Sequence, residues 1–130
     1  MGLQANWAIL AGLNAQALVS TADAEIVSGA AIDLQPYAVG HREIKAVLNV
    51  GSVATQGVLK VQWQEADTSL VTSFTAITAG TFTNYTTGSA VGMQTPVHFQ
   101  TNKRYIRAYA EVETGSYVFS THVMVPNRIV

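Results

Sequence analysis

The stretch Leu59-Lys60-Val61-Gln62-Trp63-Gln64 alternates apolar and polar residues without a break. Successive side chains of a β-strand point to opposite faces, so this alternation predicts a strand with one buried and one exposed face. The same period of two runs through residues 43–50. A short segment rich in Gly, Ser and Thr, residues 51–57, joins the two runs. This arrangement predicts that the two strands form an antiparallel pair.

The alternation returns in residues 106–112 and, after a Thr-Gly-Ser turn, in residues 117–125. Pro126 is expected to end the last strand, because proline has no N–H to donate to a neighbouring strand. Shorter strands are predicted at residues 30–34, 74–77, 81–85 and 96–99. Six to eight short strands without an internal repeat are typical of an all-β, antiparallel sandwich. The predicted core consists of Ile44, Leu48, Leu59, Val61, Trp63, Ile106, Ala108 and Val123.

The first 19 residues contain no Lys, Arg, Asp or Glu. The large apolar residues within 7–18 have roughly helical spacing, but a free amphipathic helix needs a polar face that this segment lacks. We therefore predict an apolar N-terminal arm over residues 1–24, followed by a β-sandwich domain over residues 25–130. The arm is expected to pack against a neighbouring subunit. The competing interpretation is that the arm forms one more strand of its own sandwich.

Charged residues are scarce, at 12% of the chain against about 25% in an average globular protein. Because a small monomer needs charge to cover its surface, part of this surface is predicted to face another protein. We expect a homo-oligomer, with a trimer slightly favoured over a dimer. The net charge of -1 and the lack of a basic face argue against a nucleic-acid partner. No Lys or Arg precedes Arg42, and no apolar run reaches roughly 18 residues, so neither an export signal nor a membrane span is expected.

The sequence contains no recognisable motif for catalysis or for a cofactor. Gly-rich phosphate loops, the G-x-S-x-G motif and the H-E-x-x-H motif are missing, and cysteine is absent. His41, His98 and His122 belong to no metal signature, and His122 is expected to point outward from the last strand. We therefore expect a protein that is not an enzyme and that has no catalytic residue, cofactor or metal.

Charged clusters favour surface roles over chemistry. Glu65 and Asp67 stand two apart and lack the regular ligand series of a calcium loop. The carboxylates of Glu111 and Glu113 are expected to be solvated or paired with arginines of their own strand region, Arg104 or Arg107. These arginines, with Lys103 and Tyr105, form a basic and aromatic cluster. Three cations are too few to guide a nucleic acid, so the cluster is predicted to be an interface patch.

Several strings in a fixed order resemble one protein family. They are Ala31-Ile32-Asp33-Leu34, Ala46-Val47-Leu48-Asn49-Val50-Gly51, Leu59-Lys60-Val61-Gln62-Trp63-Gln64-Glu65-Ala66-Asp67, Phe74-Thr75-Ala76-Ile77 and Lys103-Arg104-Tyr105-Ile106-Arg107-Ala108. Their order is similar to that in small structural proteins of tailed bacteriophages, the capsid decoration or cement proteins. The similarity covers residues 31–125. The family usually has more acidic residues and a Gly after the position of Asp67, where this chain has Thr68.

This resemblance implies a jelly-roll-like β-sandwich and a structural role in the virion. The expected protein binds the outer surface of an assembled capsid and bridges its subunits, after synthesis in the cytoplasm of the host bacterium. Its implied partners are the major capsid protein and further copies of itself, with no nucleic acid and no membrane. The residues predicted to lie at these interfaces are Trp7, Ile9, Leu10, Leu13, Arg104, Tyr105, Arg107 and Tyr109.

Three alternatives remain open on the sequence. A tail or neck component could use the same sandwich, and a hexameric ring would favour it. A carbohydrate-binding module would need Tyr105, Tyr109 and Tyr117 on one exposed face, and a glycan array would detect it. A hydrolase is the weakest alternative, because no nucleophile motif is present.

Overall fold

The computed structural model describes residues 7–20, 25–35, 42–55, 57–86, 91–113 and 115–126. Apart from one 3-10 turn at Val71–Ser73, the regular structure of these residues is entirely β. The strands are β1 (Trp7–Ser20), β2 (Glu25–Ser28), β3 (Ile32–Asp33), β4 (Arg42–Thr55), β5 (Val58–Ala66), β6 (Thr75–Thr81), β7 (Tyr85–Thr86), β8 (Gly92–Met93), β9 (Val97–Thr101), β10 (Tyr105–Glu113) and β11 (Gly115–Pro126). The shorter strands predicted at residues 30–34, 74–77 and 96–99 occur with shifted bounds. The strand predicted at residues 81–85 does not, because residues 82–84 form the connection between β6 and β7.

The strands form two antiparallel sheets of four rows each. In the first sheet the order is β1, β11, β4, and then a last row in which β8 and β9 both pair with β4. In the second sheet β2 and β3 share the first row beside β10, β5 follows, and β6 and β7 share the last row. The chain crosses repeatedly between the sheets, which is the arrangement of a jelly roll. The predicted all-β, jelly-roll-like sandwich is confirmed.

The predicted pairing of residues 43–50 with residues 59–64 is wrong. These residues belong to β4 and β5, which lie in opposite sheets and pair with β11 and β10 instead. Strand β4 runs on to Thr55 through the segment that was expected to be a turn. Gly51 forms a bulge there, since Val50 lies opposite Phe119 while Ser52 lies opposite Val118. Bulges bend and twist a strand. Because β4 and β5 lie in opposite sheets, residues 51–55 are not a hairpin turn between them.

The predicted N-terminal arm is a strand of the sandwich. Trp7–Ser20 forms β1, which pairs with β11 from Trp7 opposite Pro126 to Ser20 opposite Gly115. The competing interpretation, one more strand of the sandwich, is therefore confirmed, and the packing of this segment against a neighbouring subunit stays a prediction. The backbone N–H and C=O groups of an uncharged segment can find hydrogen-bond partners on a neighbouring strand. That neighbour, β11, also has no charged residue. The predicted boundary at residue 24 thus does not divide β1 from the sandwich. Residues 1–6 and 21–24 lie outside the described residues.

The core lies between the two sheets and contains all eight residues predicted for it. Each of them is at most 1% exposed, and Trp63 is 0% exposed. The Trp63 indole N–H donates a hydrogen bond to Thr121 Oγ1 across 3.3 Å, and Thr121 Oγ1 donates in turn to the Val47 carbonyl at 2.8 Å. Because Trp63 belongs to β5 and Thr121 to β11, this buried chain of hydrogen bonds joins the two sheets.

Candidate interaction surfaces

The second sheet and its adjoining turns carry most of the described charges, and six of these charges form three ion pairs. Lys60 pairs with Glu113 at 2.8 Å, and Lys103 pairs with Asp67 at 3.0 Å. Hydrogen bonds to these carboxylates raise the pKa of both lysines. Since all four side chains are substantially exposed to solvent, the pairs contribute little to stability. They leave this side of the molecule well hydrated.

The basic and aromatic cluster lies at one end of β10 in this second sheet. The Arg104 guanidinium binds both carboxylate oxygens of Asp33, at 3.0 and 2.9 Å, and lies 5.1 Å from the ring centre of Tyr105. Tyr105 and Tyr109 are half-buried. These three side chains retain surface on which a partner could bind.

Arg107 differs from the rest of the cluster because it is only 9% exposed. Its Nε donates to Gln64 Oε1 at 2.7 Å, and its guanidinium lies 4.5 Å from the centre of the Phe74 ring. The amide and the ring hold this side chain within the sheet. Arg107 therefore has little surface left for a partner, although its position in the alternation suggested an exposed residue.

Trp7, Ile9, Leu10 and Leu13, the other predicted interface residues, lie on β1. Strand β1 is the outermost strand of the first sheet. The structure thus places the two predicted interface groups in different sheets and does not bring them together. Their contact with a partner stays a prediction.

A third surface, which sequence reasoning missed, is the outer face of the first sheet. We call it the uncharged face and define it by Val47, Asn49, Met93, Val118, Ser120 and His122. Register places His122 opposite Val47, and both Ser120 and Met93 opposite Asn49. Met93 is 64% exposed and Val118 is 38% exposed.

No charged residue interrupts this uncharged face. Strands β1 and β11 contain no charged residue, and β4 has its three, Arg42, Glu43 and Lys45, at one end. The sequence could have indicated this face, because residues 115–126 contain no charged residue. His122 lies on this face and is half-buried, so the prediction that it points out of the last strand is confirmed.

The carboxylates singled out in the sequence have ordinary partners. Glu65 accepts a hydrogen bond from Thr101 Oγ1, and Asp67 pairs with Lys103. Glu113 pairs with Lys60 of β5, whereas the sequence predicted either a solvated carboxylate or a pair with Arg104 or Arg107. Across the described ranges, no group of three His, Asp or Glu side chains is placed to hold a metal ion.

A concave region of about 280 Å³ lies between the connections of β6–β7 and β8–β9. Its lining is made by Thr81, Phe82, Thr83, Asn84, Tyr85, Gln94, Thr95 and Val97. This lining includes hydroxyls and amides but no carboxylate, imidazole or amine. General acid–base catalysis requires a titratable group within hydrogen-bond reach of the substrate, and apart from the Tyr85 phenol this lining supplies none.

The three tyrosines proposed as a sugar platform do not share a face. Tyr117 is 0% exposed and points into the core, where its ring packs edge-on against Tyr85 with centroids 5.8 Å apart. Tyr105 and Tyr109 belong to β10, in the other sheet. The condition set for a carbohydrate-binding module is therefore not met.

Tyr117→Phe is expected to raise the free energy of unfolding by about 1 kcal/mol. The Tyr117 hydroxyl is buried and has no hydrogen-bond partner in the part of the chain that the structure describes, and an unsatisfied buried hydroxyl costs about 1–3 kcal/mol. Burial also raises the pKa of Tyr117, so its neutral form is favoured in the folded state. The preference of the folded state for neutral Tyr117 stabilises the fold at pH values below the ordinary tyrosine pKa near 10. This stabilisation is lost as pH rises through the higher pKa of the folded state.

Urea unfolding at neutral and alkaline pH measures both effects. The phenylalanine variant should lose less stability than the parent on going to alkaline pH. Tyr105→Phe is the matched control, because Tyr105 is only half-buried, and it should behave as the parent does. A clear drop in the stability of Tyr117→Phe at neutral pH would show that the hydroxyl has a partner.

Among the described residues, no helix is long and apolar enough to cross a membrane. No family model and no curated protein matches the sequence. The fold is similar to that of a chain in the structure of infectious bursal disease virus, Gx strain, with a TM-score of 0.55 and 13% sequence identity. The match covers 95% of this chain and 32% of the viral chain. This protein therefore spans about a third of that chain, and at this identity the likeness shows the shared jelly-roll fold alone.

Proposed function

We propose that this protein is a structural component of a phage virion that decorates the outer surface of the assembled capsid. The observation that carries the proposal is the similarity of 95% of the chain to part of a chain in a virus structure. The ordered strings that resemble the capsid decoration proteins add the finer role. The proposed protein is not an enzyme and uses no cofactor. Its partners are the major capsid protein and other copies of itself, and it is made in the host bacterial cytoplasm.

The uncharged face is the surface proposed to dock on the capsid. Charged side chains are depleted at the centre of protein interfaces because desolvating them is costly. The uncharged face offers Met93 and Val118 for burial without such a cost, whereas the ion pairs of the second sheet are better left in water. Hydrated ion pairs on the outside would also keep the decorated particle soluble.

The proposed mechanism is selective binding to the assembled shell. A ligand that binds one state of an equilibrium and not the other stabilises the bound state. Fully burying an exposed side chain of the size of Val118 or Met93 contributes about 1.5–3 kcal/mol. Val118 and Met93 are already partly buried, so each contributes less and each copy adds a modest amount. Many copies on one shell would together stabilise it against internal pressure.

Co-sedimentation tests the proposal directly. The purified protein is mixed with assembled shells of the source virus that lack it and, separately, with unassembled capsid protein and with isolated tails. We expect saturable binding to the shells alone, and shells with bound protein should break at a higher temperature. Binding to tails, binding to free capsid protein with equal affinity, or no binding to any of the three would overturn the proposal.

Val118→Glu is expected to weaken shell binding by at least about tenfold, the equivalent of about 1.4 kcal/mol. The substitution places a charge on the uncharged face, on a side chain that is 38% exposed and therefore tolerant of the change. Thr78→Glu is the matched control, because Thr78 is exposed on β6 in the second sheet. The control should bind as the parent does. Equal weakening by both variants, or by neither, would exclude the uncharged face as the docking surface.

A further inference from the structure

The sandwich has four edge rows, and three of them are short and interrupted. In the first sheet one edge is made of β8 and β9, with 2 and 5 residues. In the second sheet the edges are β2 with β3, of 4 and 2 residues, and β6 with β7, of 7 and 2 residues. Short, broken edges are a common protection against unwanted pairing with another chain.

The fourth edge, β1, lacks these protections. It is a single strand of 14 residues without a charged residue or a proline. In the part of the chain that the structure describes, β1 pairs with β11 along one side and with no strand along the other. Irregularities in its register lie between Ala11 and Gln16, and they leave two regular stretches, residues 7–11 and 16–20. A long uncharged edge presents a row of backbone donors and acceptors on which a further strand can pair.

We propose that the free edge of β1 pairs antiparallel with β1 of a second copy of this chain, across a two-fold axis. Antiparallel pairing of identical strands is self-complementary, so one contact covers the open edge of both copies. The two first sheets would become one continuous sheet of twice the width. This inference specifies the contact between copies that the proposed function names, and it does not depend on binding to a capsid.

The charge of the strand favours a second copy as the occupant. In a two-fold pair each residue near the axis lies close to its own equivalent, so any charged residue there would face a like charge. Strand β1 has none, and its neighbour β11 has none either. The net charge of the chain is -1, so two copies repel one another only weakly.

The size of the contact predicts a weak dimer. Fourteen residues at about 3.4 Å each form an edge about 48 Å long and about 10 Å deep, which sets an upper limit of about 480 Å² per copy because only two stretches of β1 are regular. The total is at most about 960 Å², which is below the roughly 1,600 Å² of a standard protein interface. The dimer should therefore dissociate in the micromolar to millimolar range of concentration.

Sedimentation of the whole chain across that range is the first test. We expect a monomer–dimer equilibrium, and the double variant Asn14→Lys with Gln16→Lys should weaken it by at least about tenfold. The matched control is Thr78→Lys with Gln100→Lys, which adds two lysines at exposed positions of other edge strands. The control should dimerise as the parent does. A monomer at every concentration, a trimer, or equal effects of the two double variants would overturn the proposal.

Cysteine crosslinking locates the contact and remains informative if the lysine variant folds poorly. The chain has no cysteine, so a single cysteine can be placed at each position from 8 to 18 in turn and the protein oxidised mildly. Disulfides form between Cα atoms about 4.4–6.8 Å apart, so the yield of dimer should peak at one position near the two-fold axis and fall on both sides. Ala79→Cys, exposed on β6, gives the background. Background yield at every position of β1 would overturn the proposal, even if the shells described above bind the protein.

Discussion

A variant that begins at residue 21 is expected to lose cooperative unfolding or to be insoluble. Removal of β1 would turn β11 into an edge and leave the backbone groups that now face Trp7–Ser20 without partners. Each unsatisfied backbone group that stays buried costs roughly 1–3 kcal/mol, against a total stability of about 5–15 kcal/mol for a domain. Thermal melting followed by circular dichroism measures the result.

A variant that begins at residue 7 is the control for this truncation, because it keeps β1 whole. It should melt within a few degrees of the parent. If the shorter variant also melts as the parent does, β1 is dispensable for folding, and the interpretation of residues 1–24 as a docking arm would have to be restored.

Trp63→Ala is expected to lower the free energy of unfolding by about 3–5 kcal/mol, the usual cost of truncating a large aromatic side chain in a core. Trp63 is 0% exposed, and its indole reaches Thr121 in the opposite sheet. The change therefore leaves a cavity between the sheets and also removes a hydrogen bond that joins them. Trp63→Phe should cost distinctly less, because it restores most of the lost volume.

Equilibrium unfolding in urea measures these losses. Val71→Ala serves as the control, since Val71 is 72% exposed, and its effect should stay within about 0.5 kcal/mol. A loss below about 1 kcal/mol for Trp63→Ala would mean that the core collapses around the gap, contrary to the close packing expected of an interior.

The sequence predicted which faces of the strands are buried but not which strands are neighbours. Trp63 and Ile44 were placed correctly because alternation within a strand determines its buried face. The partner of a strand depends on backbone pairing between distant segments, which alternation does not report. For this reason β4 and β5 were paired wrongly, and β1 was separated from β11 although both lack charge.

The candidate surfaces also depend on contacts between distant segments, which the sequence pattern does not report. The sequence identified Arg107 as an exposed cation by its position in β10, yet the ring of Phe74 and the amide of Gln64 cover it. Neither neighbour is close to it in sequence, so the cover could not be anticipated. The uncharged face was also missed, because its members come from β4, β8 and β11 and share a surface only after the sheet has formed.

The pairing of β1 with β11 has a consequence for how the protein is made. A ribosome that adds about 5–20 residues per second needs roughly 6–24 s to pass from Trp7 to its partner Pro126. During that time the uncharged β1 has emerged without the strand that will hold it. The first sheet can close only after β11 has left the exit tunnel, so the folding of this sheet waits for that strand. Until then the unpaired edges of β1 can pair with other growing chains, and a fragment that ends before β11 would keep β1 without its partner strand.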